Sequence, residues 1–225
     1  MKKNIYNIIY IVITIILITL IAIFGMNYYN SKQLENEVKK IKEIDINNYK
    51  YESKTITYFE YKKVEVAIKE YMRDYSNYIK KVNSIINEEK VKNVLSISNL
   101  EKDGKDFNKS IPLLNSKKKE LEAATNKLYE LNSEKKILEY IEQKNVSKKY
   151  QDLYKKYMFN KTDLEKNKEA IKQLNEKANN ILDTDLQVLD LLKNNKDSWK
   201  LEEGKIGFYS NNVINQYNEL VNKLK

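Results

Sequence analysis

The sequence predicts an all-α protein: a single N-terminal transmembrane helix followed by an elongated antiparallel helical bundle, with one small β-hairpin near the C-terminus. Three observations lead to this prediction. The stretch Ile5–Met26 contains no charged residue. Apolar residues between Tyr61 and Ile85 recur with the heptad spacing of a packed helix. The 225 residues include only 4 Gly and 1 Pro, which are too few for the frequent turns of a β-sandwich or barrel.

The uncharged stretch is long enough to cross a lipid bilayer. Its 22 residues make a helix of about 33 Å, and the hydrocarbon core of a bilayer is about 30 Å thick. A secretory signal peptide has a shorter apolar run and an Ala-x-Ala cleavage site, whereas only Ala22 and Gly25 are small near the end of this run. We therefore expect an uncleaved signal anchor, rather than a cleaved signal peptide or the buried core helix of a soluble protein.

The domain organisation follows from this anchor. Residues 1–4 are expected to form a short cytoplasmic tail, 5–26 the transmembrane signal anchor, 27–56 a connector or stalk, and 57–225 an extracytoplasmic helical bundle. Lysines flank the anchor on both sides, so their number does not decide its orientation. A very short tail before the first apolar segment and a long domain after it favour an N-inside, domain-outside arrangement.

The first part of the connector keeps a helical pattern. Its apolar residues are spaced so that the anchor helix can continue beyond the membrane as a short stalk. These residues are Leu34, Val38, Ile41 and Ile44. The period is lost over residues 45–54, where we expect a break.

The clearest helix is expected to run from about Thr57 to Ser96. Its apolar seam steps alternately by three and four residues, through Tyr61, Val64, Ile68, Tyr71, Tyr75, Tyr78, Val82 and Ile85. Three further apolar residues widen this seam, namely Met72, Ile79 and Ile86. A wide stripe is typical of a helix packed within a bundle, and a free extended coiled coil is the alternative.

Turn and capping residues divide the rest of the chain. The expected turns and helix starts are Asp103-Gly104, a cap at Ser110 or Asn108 with Pro112 in the first turn, a cap at Ser133, a break at 145–147, and a capping box at Thr162 and Glu165. Near the C-terminus, apolar residues alternate around Glu203-Gly204, which predicts the small hairpin. A last helix then carries Val213, Tyr217 and Leu220.

The inventory of side chains excludes several classes of site. The chain has no His and no Cys, so Ser–His–Asp triads, zinc hydrolase sites and cysteine nucleophiles are excluded. Four scattered glycines cannot make a phosphate-binding loop. The 32 acidic residues leave room for a carboxylate pair, but no pattern marks one. We expect no catalytic residue, no cofactor and no metal site.

The positive charge does not indicate nucleic-acid binding. The formal net charge is +9, yet Arg73 is the only arginine. Arginine is the usual residue for bidentate recognition of phosphates and bases. A lysine-rich chain with one arginine is typical of lysines spread over a solvated surface, so we do not expect a nucleic-acid partner.

Two groups of residues suggest a site at first sight. The 18 tyrosines suggest an aromatic platform, but those on the seam are expected to be core or half-core residues with their hydroxyls at the rim. Asp183, Asp185 and Asp190 resemble a calcium cluster, but the Gly and the distal Glu of a calcium loop are missing. These aspartates are predicted to be surface charge.

The strongest asymmetry of charge lies in residues 144–161. This segment has six lysines against Asp152 alone. On a helix, Lys148, Lys149, Lys155 and Lys156 share one face, and Tyr150, Leu153, Tyr154 and Tyr157 share the opposite face. The four lysines are either a solvated face above a core face or a polyanion-facing patch, whose ligand would be anionic lipid or a cell-wall polymer. We call them the lysine patch.

These observations predict a class of function but no ligand. The chain is expected to be a membrane-anchored, non-enzymatic extracytoplasmic helical protein that binds a protein partner or an anionic envelope component. An accessory or sensor subunit of another membrane protein complex is the alternative. Its layout resembles that of singly anchored helical ectodomains of AT-rich Gram-positive bacteria, a resemblance of layout that transfers no site residue.

Overall fold

A computed structural model describes the backbone of residues 2–224 and the side chains of residues 13–224. The chain is 78% helical, and the predicted all-α class is confirmed. The helices are α1 (Lys2–Glu43), α2 (Phe59–Asn87), α3 (Glu89–Lys92), α4 (Ile97–Asp103), α5 (Ser110–Leu131), α6 (Glu134–Glu142), α7 (Lys148–Met158), α8 (Lys161–Asn194) and α9 (Asn211–Asn222). Short 3-10 turns cover Ile46–Asn48 and Lys196–Ser198.

The chain forms two compact units. Unit 1 comprises Met1–Arg73 and Ile137–Asn160, and unit 2 comprises Asp74–Lys136 and Lys161–Lys225. In unit 1 the predicted seam of α2 is buried at Tyr61, Val64, Ile68 and Tyr71. In unit 2 it is buried at Val82 and Ile85 and half-buried at Tyr75 and Tyr78. The seam tyrosines are therefore core and half-core residues, as predicted.

Unit 2 is built around α8, which packs against α5 and α9. The predicted hairpin is present: β1 (Trp199–Glu202) pairs antiparallel with β2 (Lys205–Phe208). Its turn residues Glu203 and Gly204 both have positive φ, as a tight two-residue hairpin turn requires. Trp199 fixes the hairpin in the core, because its ring stacks on that of Phe107 and its Nε1 donates a hydrogen bond of 2.7 Å to the Leu192 carbonyl.

The helix predicted from Thr57 to Ser96 is wrong in its extent, because this range holds two helices, α2 and α3, and ends at the N-cap of a third, α4. The helix α2 ends at Asn87, and Glu88 has extended dihedral angles before α3 begins. Ser96 then begins a new helix, α4, because its hydroxyl accepts a hydrogen bond from the Asn99 backbone N–H. Serine is among the preferred residues at this N-cap position.

Two predicted helix starts are corrected in detail. Neither Ser110 nor Asn108 caps α5, because the Asp103 carboxylate accepts hydrogen bonds from the backbone N–H groups of Lys109 and Ser110, at 2.9 and 2.7 Å. The helix α8 begins at Lys161, one residue before the predicted cap Thr162. By contrast, Ser133 accepts a hydrogen bond from the Lys136 N–H, as a cap of α6 should.

Candidate functional site

The helix α1 changes character along its length. Its apolar part is exposed over residues 13–26, and the helix Ile13–Glu43 is long and apolar enough to cross a membrane, with a mean hydropathy of 1.6 in its most apolar window. From Asn30 onward one face is buried at helical spacing, through Asn30, Leu34, Glu37, Val38 and Ile41. One uninterrupted helix therefore joins the apolar segment to the core of unit 1.

The predicted connector over 27–56 contributes to that core. The helix continues to Glu43, and of the four residues that carried its predicted pattern Ile44 alone lies outside the core. The irregular segment that follows places Tyr49 and Thr57 in the interior of unit 1. A soluble fragment that begins at Thr57 would lack the whole of the α1 contribution, so a fragment intended to keep unit 1 has to begin before Asn30.

A buried ionic cluster holds α1 to α2. Lys69 of α2 is 3% exposed, and its Nζ lies 2.9 Å from Glu37 Oε1 of α1 and 2.8 Å from Glu65 Oε1 one turn earlier on α2. It also donates a hydrogen bond of 2.8 Å to the Lys54 carbonyl. Burial disfavours the ammonium, but hydrogen bonds and charge attraction from Glu65 and Glu37 outweigh this effect, so the pKa of Lys69 is raised above its usual value.

Glu65 binds the backbone of the segment that leads into α2. Its carboxylate, 1% exposed, accepts hydrogen bonds from the N–H groups of Ile56 and Thr57, and one of 2.7 Å from the Thr57 hydroxyl. Tyr49 adds a bond from its hydroxyl to the Lys69 carbonyl. Moving α1 or the segment 54–57 away from α2 would break these contacts and leave a buried charge without a partner, which is strongly unfavourable. The cluster therefore holds both α1 and the segment 54–57 on α2.

The sequence did not indicate this cluster. Glu65 and Lys69 are four residues apart on a helix, which is the usual spacing of a solvent-exposed pair. Their burial depends on α1 and the segment 54–57 covering the second face of α2. The nearby Asn30 was missed for the same reason: its Oδ1 accepts a hydrogen bond of 2.7 Å from the Tyr58 N–H.

The lysine patch lies on the outer side of α7. Tyr154 on the opposite face is buried, and its hydroxyl donates a hydrogen bond of 2.9 Å to the Ile137 carbonyl. Lys148, Lys149 and Lys156 are exposed and Lys155 is half-buried. The helix is thus two-sided in the way that the spacing predicted, and its four ammonium groups share the side away from Tyr154.

Several patch lysines contact nearby side chains. Lys148 pairs with Asp152 at 2.7 Å, and the ammonium groups of the other three lie 5.0 to 5.8 Å from aromatic ring centroids. Asp152 is a single carboxylate beside four ammonium groups, so the patch keeps a net positive charge. Lys144, by contrast, pairs with Glu70 at 2.6 Å and does not belong to the patch.

The helix α7 packs near the start of α2. The rings of Tyr150 and Tyr61 meet edge to face with centroids 5.1 Å apart. Burial raises the pKa of Tyr157, and the nearby Glu35 carboxylate on α1 raises it further. The helix α7, which bears the lysine patch, therefore lies beside the first turns of α2 and near the part of α1 that follows the apolar segment.

The three aspartates of α8 have different surroundings. Asp183 pairs with Lys118 of α5, and Asp190 is exposed. Asp185 is 6% exposed, so its prediction as surface charge is wrong: it lies three and four residues before the buried Val188 and Leu189, on the core face of the helix. Burial raises the pKa of Asp185 to about 6.

We expect Asp185→Asn to stabilise the protein at neutral pH. Because the folded-state pKa of Asp185 lies above the unfolded value of 3.8, native stability falls as the pH rises from about 4 to about 6 and stays low above this range. A shift of this size corresponds to about 3 kcal/mol at most. Urea unfolding from pH 4 to pH 7 should show this decline in the parent and not in Asp185→Asn.

The exposed Asp190 provides the control for this prediction. Asp190→Asn removes the same charge from the same helix, and we expect it to change the free energy of unfolding by less than about 0.5 kcal/mol. Equal effects of the two substitutions, or a loss of stability in Asp185→Asn at pH 7, would contradict the assignment of Asp185 as a buried, destabilising carboxylate.

Unit 2 also contains an open polar cleft of about 660 Å³ between α5 and α8. Its walls include four asparagines, Asn115, Asn126, Asn175 and Asn179. Part of this lining is bonded to itself, because the Thr125 hydroxyl and the Asn179 amide both donate to Asn175 Oδ1. Within residues 13–224, no group of three or more Asp or Glu residues is arranged to hold a metal ion.

The features that stand out are therefore the exposed apolar part of α1, the buried Glu37–Lys69–Glu65 cluster that fastens α1 to unit 1, and the lysine patch nearby. Comparison of the chain with protein-family models, curated proteins and solved structures gives no match. Its function is inferred from these residues.

Proposed function

We propose that the chain is a single-pass membrane protein whose non-enzymatic, extracytoplasmic helical domain binds a protein partner or an anionic component of the cell envelope. The observation that carries this proposal is the character of α1, which is one helix with an exposed apolar part and a buried amphipathic part. The uncharged stretch Ile5–Met26 has the length that a bilayer requires.

Leaving the apolar part of α1 exposed to water would be unfavourable in free energy. Each large apolar side chain that is moved from water into an apolar environment contributes about 1.5–3 kcal/mol. The exposed large residues of this part are Ile13, Ile15, Ile16, Leu17, Ile18, Leu20, Ile21, Ile23, Phe24 and Met26. A lipid bilayer removes the whole set from water, because it surrounds a helix on all sides.

The proposed orientation places the N-terminus in the cytoplasm and the helical domain outside. A long domain after a first apolar segment is translocated largely regardless of its charge. A non-enzymatic role is supported by the lack of His and Cys in the sequence and by the pairing of Lys69, Glu37 and Glu65 within the core. The lysine patch is the surface that we propose for an anionic ligand.

The ionic cluster favours a second candidate, an accessory or sensor subunit of another membrane protein complex. Asn30, Leu34 and Glu37 are buried within about three turns of the apolar part of α1. A tilt or rotation of α1 in the membrane would therefore move unit 1 with it, which a loose linker would not allow. Co-purification of a second membrane protein from mild detergent would favour this candidate.

Two arginines in the apolar part of α1 should abolish membrane insertion. Each charged residue at the centre of a spanning helix costs about 2.5–3.5 kcal/mol. We expect the full chain to stay in the membrane pellet after alkaline carbonate extraction, and a Leu17→Arg/Leu20→Arg variant to be released. Protease added to intact cells should digest the helical domain of the parent.

Leu17→Ala/Leu20→Ala is the matched control, because it changes the same positions without adding charge, and it should remain in the pellet. Release of the parent chain by carbonate would contradict the anchor. Complete protection of the domain from external protease, in cells where detergent permits digestion, would contradict the proposed orientation and leave the anchor standing.

A further inference from the structure

Four exposed aromatic side chains lie beside the end of the apolar segment. Tyr28 and Tyr29 follow Met26 on α1, and Tyr58 and Phe59 stand at the start of α2, with exposed fractions of 61% and 68%. Tyr51, another exposed aromatic residue of unit 1, is covered on one face by the guanidinium of Arg73, 5.2 Å from its ring centroid. Large exposed aromatic groups that cluster together mark an interaction surface.

Hydrogen bonds fix the distance between this cluster and the apolar segment. The Asn30 amide donates a bond of 2.9 Å to the Met26 carbonyl, and its Oδ1 accepts the bond of 2.7 Å from the Tyr58 N–H. Asn30 lies one helical turn beyond Met26, about 6 Å along the axis. The backbone of Tyr58 is therefore held about one turn from the last residue of the uncharged stretch.

The direction of α2 is fixed by the ionic cluster. Its start contacts Asn30, whereas Glu65 and Lys69, farther along α2, lie beside Glu37. Thus α2 begins at the level of the apolar segment's end and leads away from it. Tyr58 and Phe59, at the start of α2, therefore lie at the end of α2 that is nearer the apolar segment.

The backbone at Phe59 is strained without a visible compensation in the packing. Within the described part of the chain, four non-glycine residues have positive φ, and the value at Phe59 is 55°. Packing explains the positive φ of Phe107, which is fully buried and stacked on Trp199. Asparagine adopts the left-handed region more readily than most residues, which explains Asn145. Glu203 belongs to the hairpin turn. Phe59 is bulky and exposed, and such strain tends to persist where it serves a function.

We propose that Tyr58 and Phe59, together with Tyr28 and Tyr29, insert into the headgroup boundary of the bilayer and seat unit 1 on the membrane surface. This inference rests on the proposed membrane anchor. Aromatic side chains favour the membrane–water interface, and the hydrogen bonds of Asn30 hold this pair of residues at that depth. The bilayer is the one partner that is necessarily adjacent to the end of a spanning helix.

The full chain in phosphatidylcholine–phosphatidylglycerol vesicles provides the test, since the absence of Cys allows one spin label to be placed by a single substitution. Labels at Phe59→Cys, Ile18→Cys and Tyr209→Cys are compared for collision with oxygen, which partitions into lipid, and with a water-soluble nickel chelate. Tyr209 is the matched control, because it is an aromatic residue of similar exposure, 64%, in unit 2. We expect the oxygen-to-nickel ratio at Phe59 to be severalfold higher than at Tyr209.

The outcomes separate the inference from the anchor. If the label at Ile18 is in lipid and the label at Phe59 is as accessible to nickel as that at Tyr209, the inference is overturned while the anchor stands. If the label at Ile18 is itself in water, both are overturned.

A second variant, Phe59→Gly, distinguishes insertion from a structural role. Glycine adopts positive φ without strain, so we expect the thermal midpoint of the chain in detergent to be maintained or raised. In vesicles, a label at Tyr58→Cys should become severalfold more accessible to nickel when Phe59 is replaced. If the label at Tyr58 stays equally protected in the Phe59→Gly background, Phe59 does not seat unit 1 on the bilayer and the inference is overturned.

Discussion

We expect Lys69→Met to lower the free energy of unfolding by about 3–5 kcal/mol, the usual effect of removing one partner from a buried ion pair. The substitution leaves the carboxylates of Glu37 and Glu65 in the core of unit 1 without their shared cation. Glu65 keeps its hydrogen bonds from the segment 56–57. Glu37 loses its ammonium partner, so the contact between α1 and α2 is where we expect the damage.

Urea unfolding of the full chain in detergent, followed by far-ultraviolet circular dichroism, measures this loss. Lys63→Met on the same helix is the matched control, because Lys63 pairs with Glu60 at a similar distance, 3.0 Å, but both side chains are exposed. Exposed pairs contribute about 0–1 kcal/mol. Equal losses in Lys69→Met and Lys63→Met would contradict a buried cluster that fastens α1 to α2.

The pH dependence of the cluster has a definite sign. Because the pKa of Lys69 is raised in the folded state, the stability that it contributes is fully present below the unfolded pKa of about 10.4 and is lost as the pH rises through the higher folded value. Buried tyrosines act in the same range, since burial raises the pKa of Tyr49 to about 12. The loss of stability at alkaline pH is therefore expected to be larger in the parent than in Lys69→Met, and the difference between the two is the contribution of Lys69.

The parts of the fold that were predictable from the sequence depend on local periodicity. The α2 seam and the hairpin around Glu203-Gly204 are patterns that a few neighbouring residues define, and both are present in the structure. The break between α2 and α4 was missed, because apolar residues such as Val91 and Val94 continue the helical spacing across it. Periodicity alone does not show where Ser96 caps a new helix.

The polar residues of the core were not predictable by the same reasoning. Glu65 and Lys69 resemble an exposed helical pair, and they become interior residues because α1 and the segment from Lys54 to Thr57 fold over them. Asp185 is predicted to be exposed because aspartate is usually a surface residue, although its spacing from the apolar residues of α8 places it on the buried face. The strained, exposed Phe59 has no signature in the sequence, because φ at a non-glycine residue is decided by the connections around it.

Replacing the lysine patch with glutamine should abolish most binding to anionic membranes. The patch lies at the level of Tyr61, about 10 Å beyond Met26 if the rise of a helix is counted along α1 and the first turn of α2. Headgroups extend about 6 Å beyond the hydrocarbon core. With the proposed anchor in a bilayer, we expect the lysines to lie within about one Debye length, 8 Å at physiological ionic strength, of lipid phosphates.

At that distance each lysine contributes on the order of 1 kcal/mol at low salt. Lys148 shares its charge with Asp152, so we expect a total of about 3–4 kcal/mol, which is roughly a 100- to 1000-fold change in affinity. A fragment of residues 28–225, which retains Asn30 and the ionic cluster, should bind phosphatidylglycerol vesicles at low salt. Binding should fall steeply as salt is added, because the attraction is screened.

The variant Lys148→Gln/Lys149→Gln/Lys155→Gln/Lys156→Gln should lose this binding while its helicity is unchanged, because glutamine is nearly as good a helix former as lysine. A matched control replaces four exposed lysines of α8 with glutamine and removes the same charge: Lys166, Lys168, Lys172 and Lys177. If both variants lose affinity equally, net charge and not the patch attracts the membrane. If the patch variant binds as well as the parent, or the parent binds neither vesicles nor anionic wall polymer at low salt, the four lysines are only the solvated face of α7.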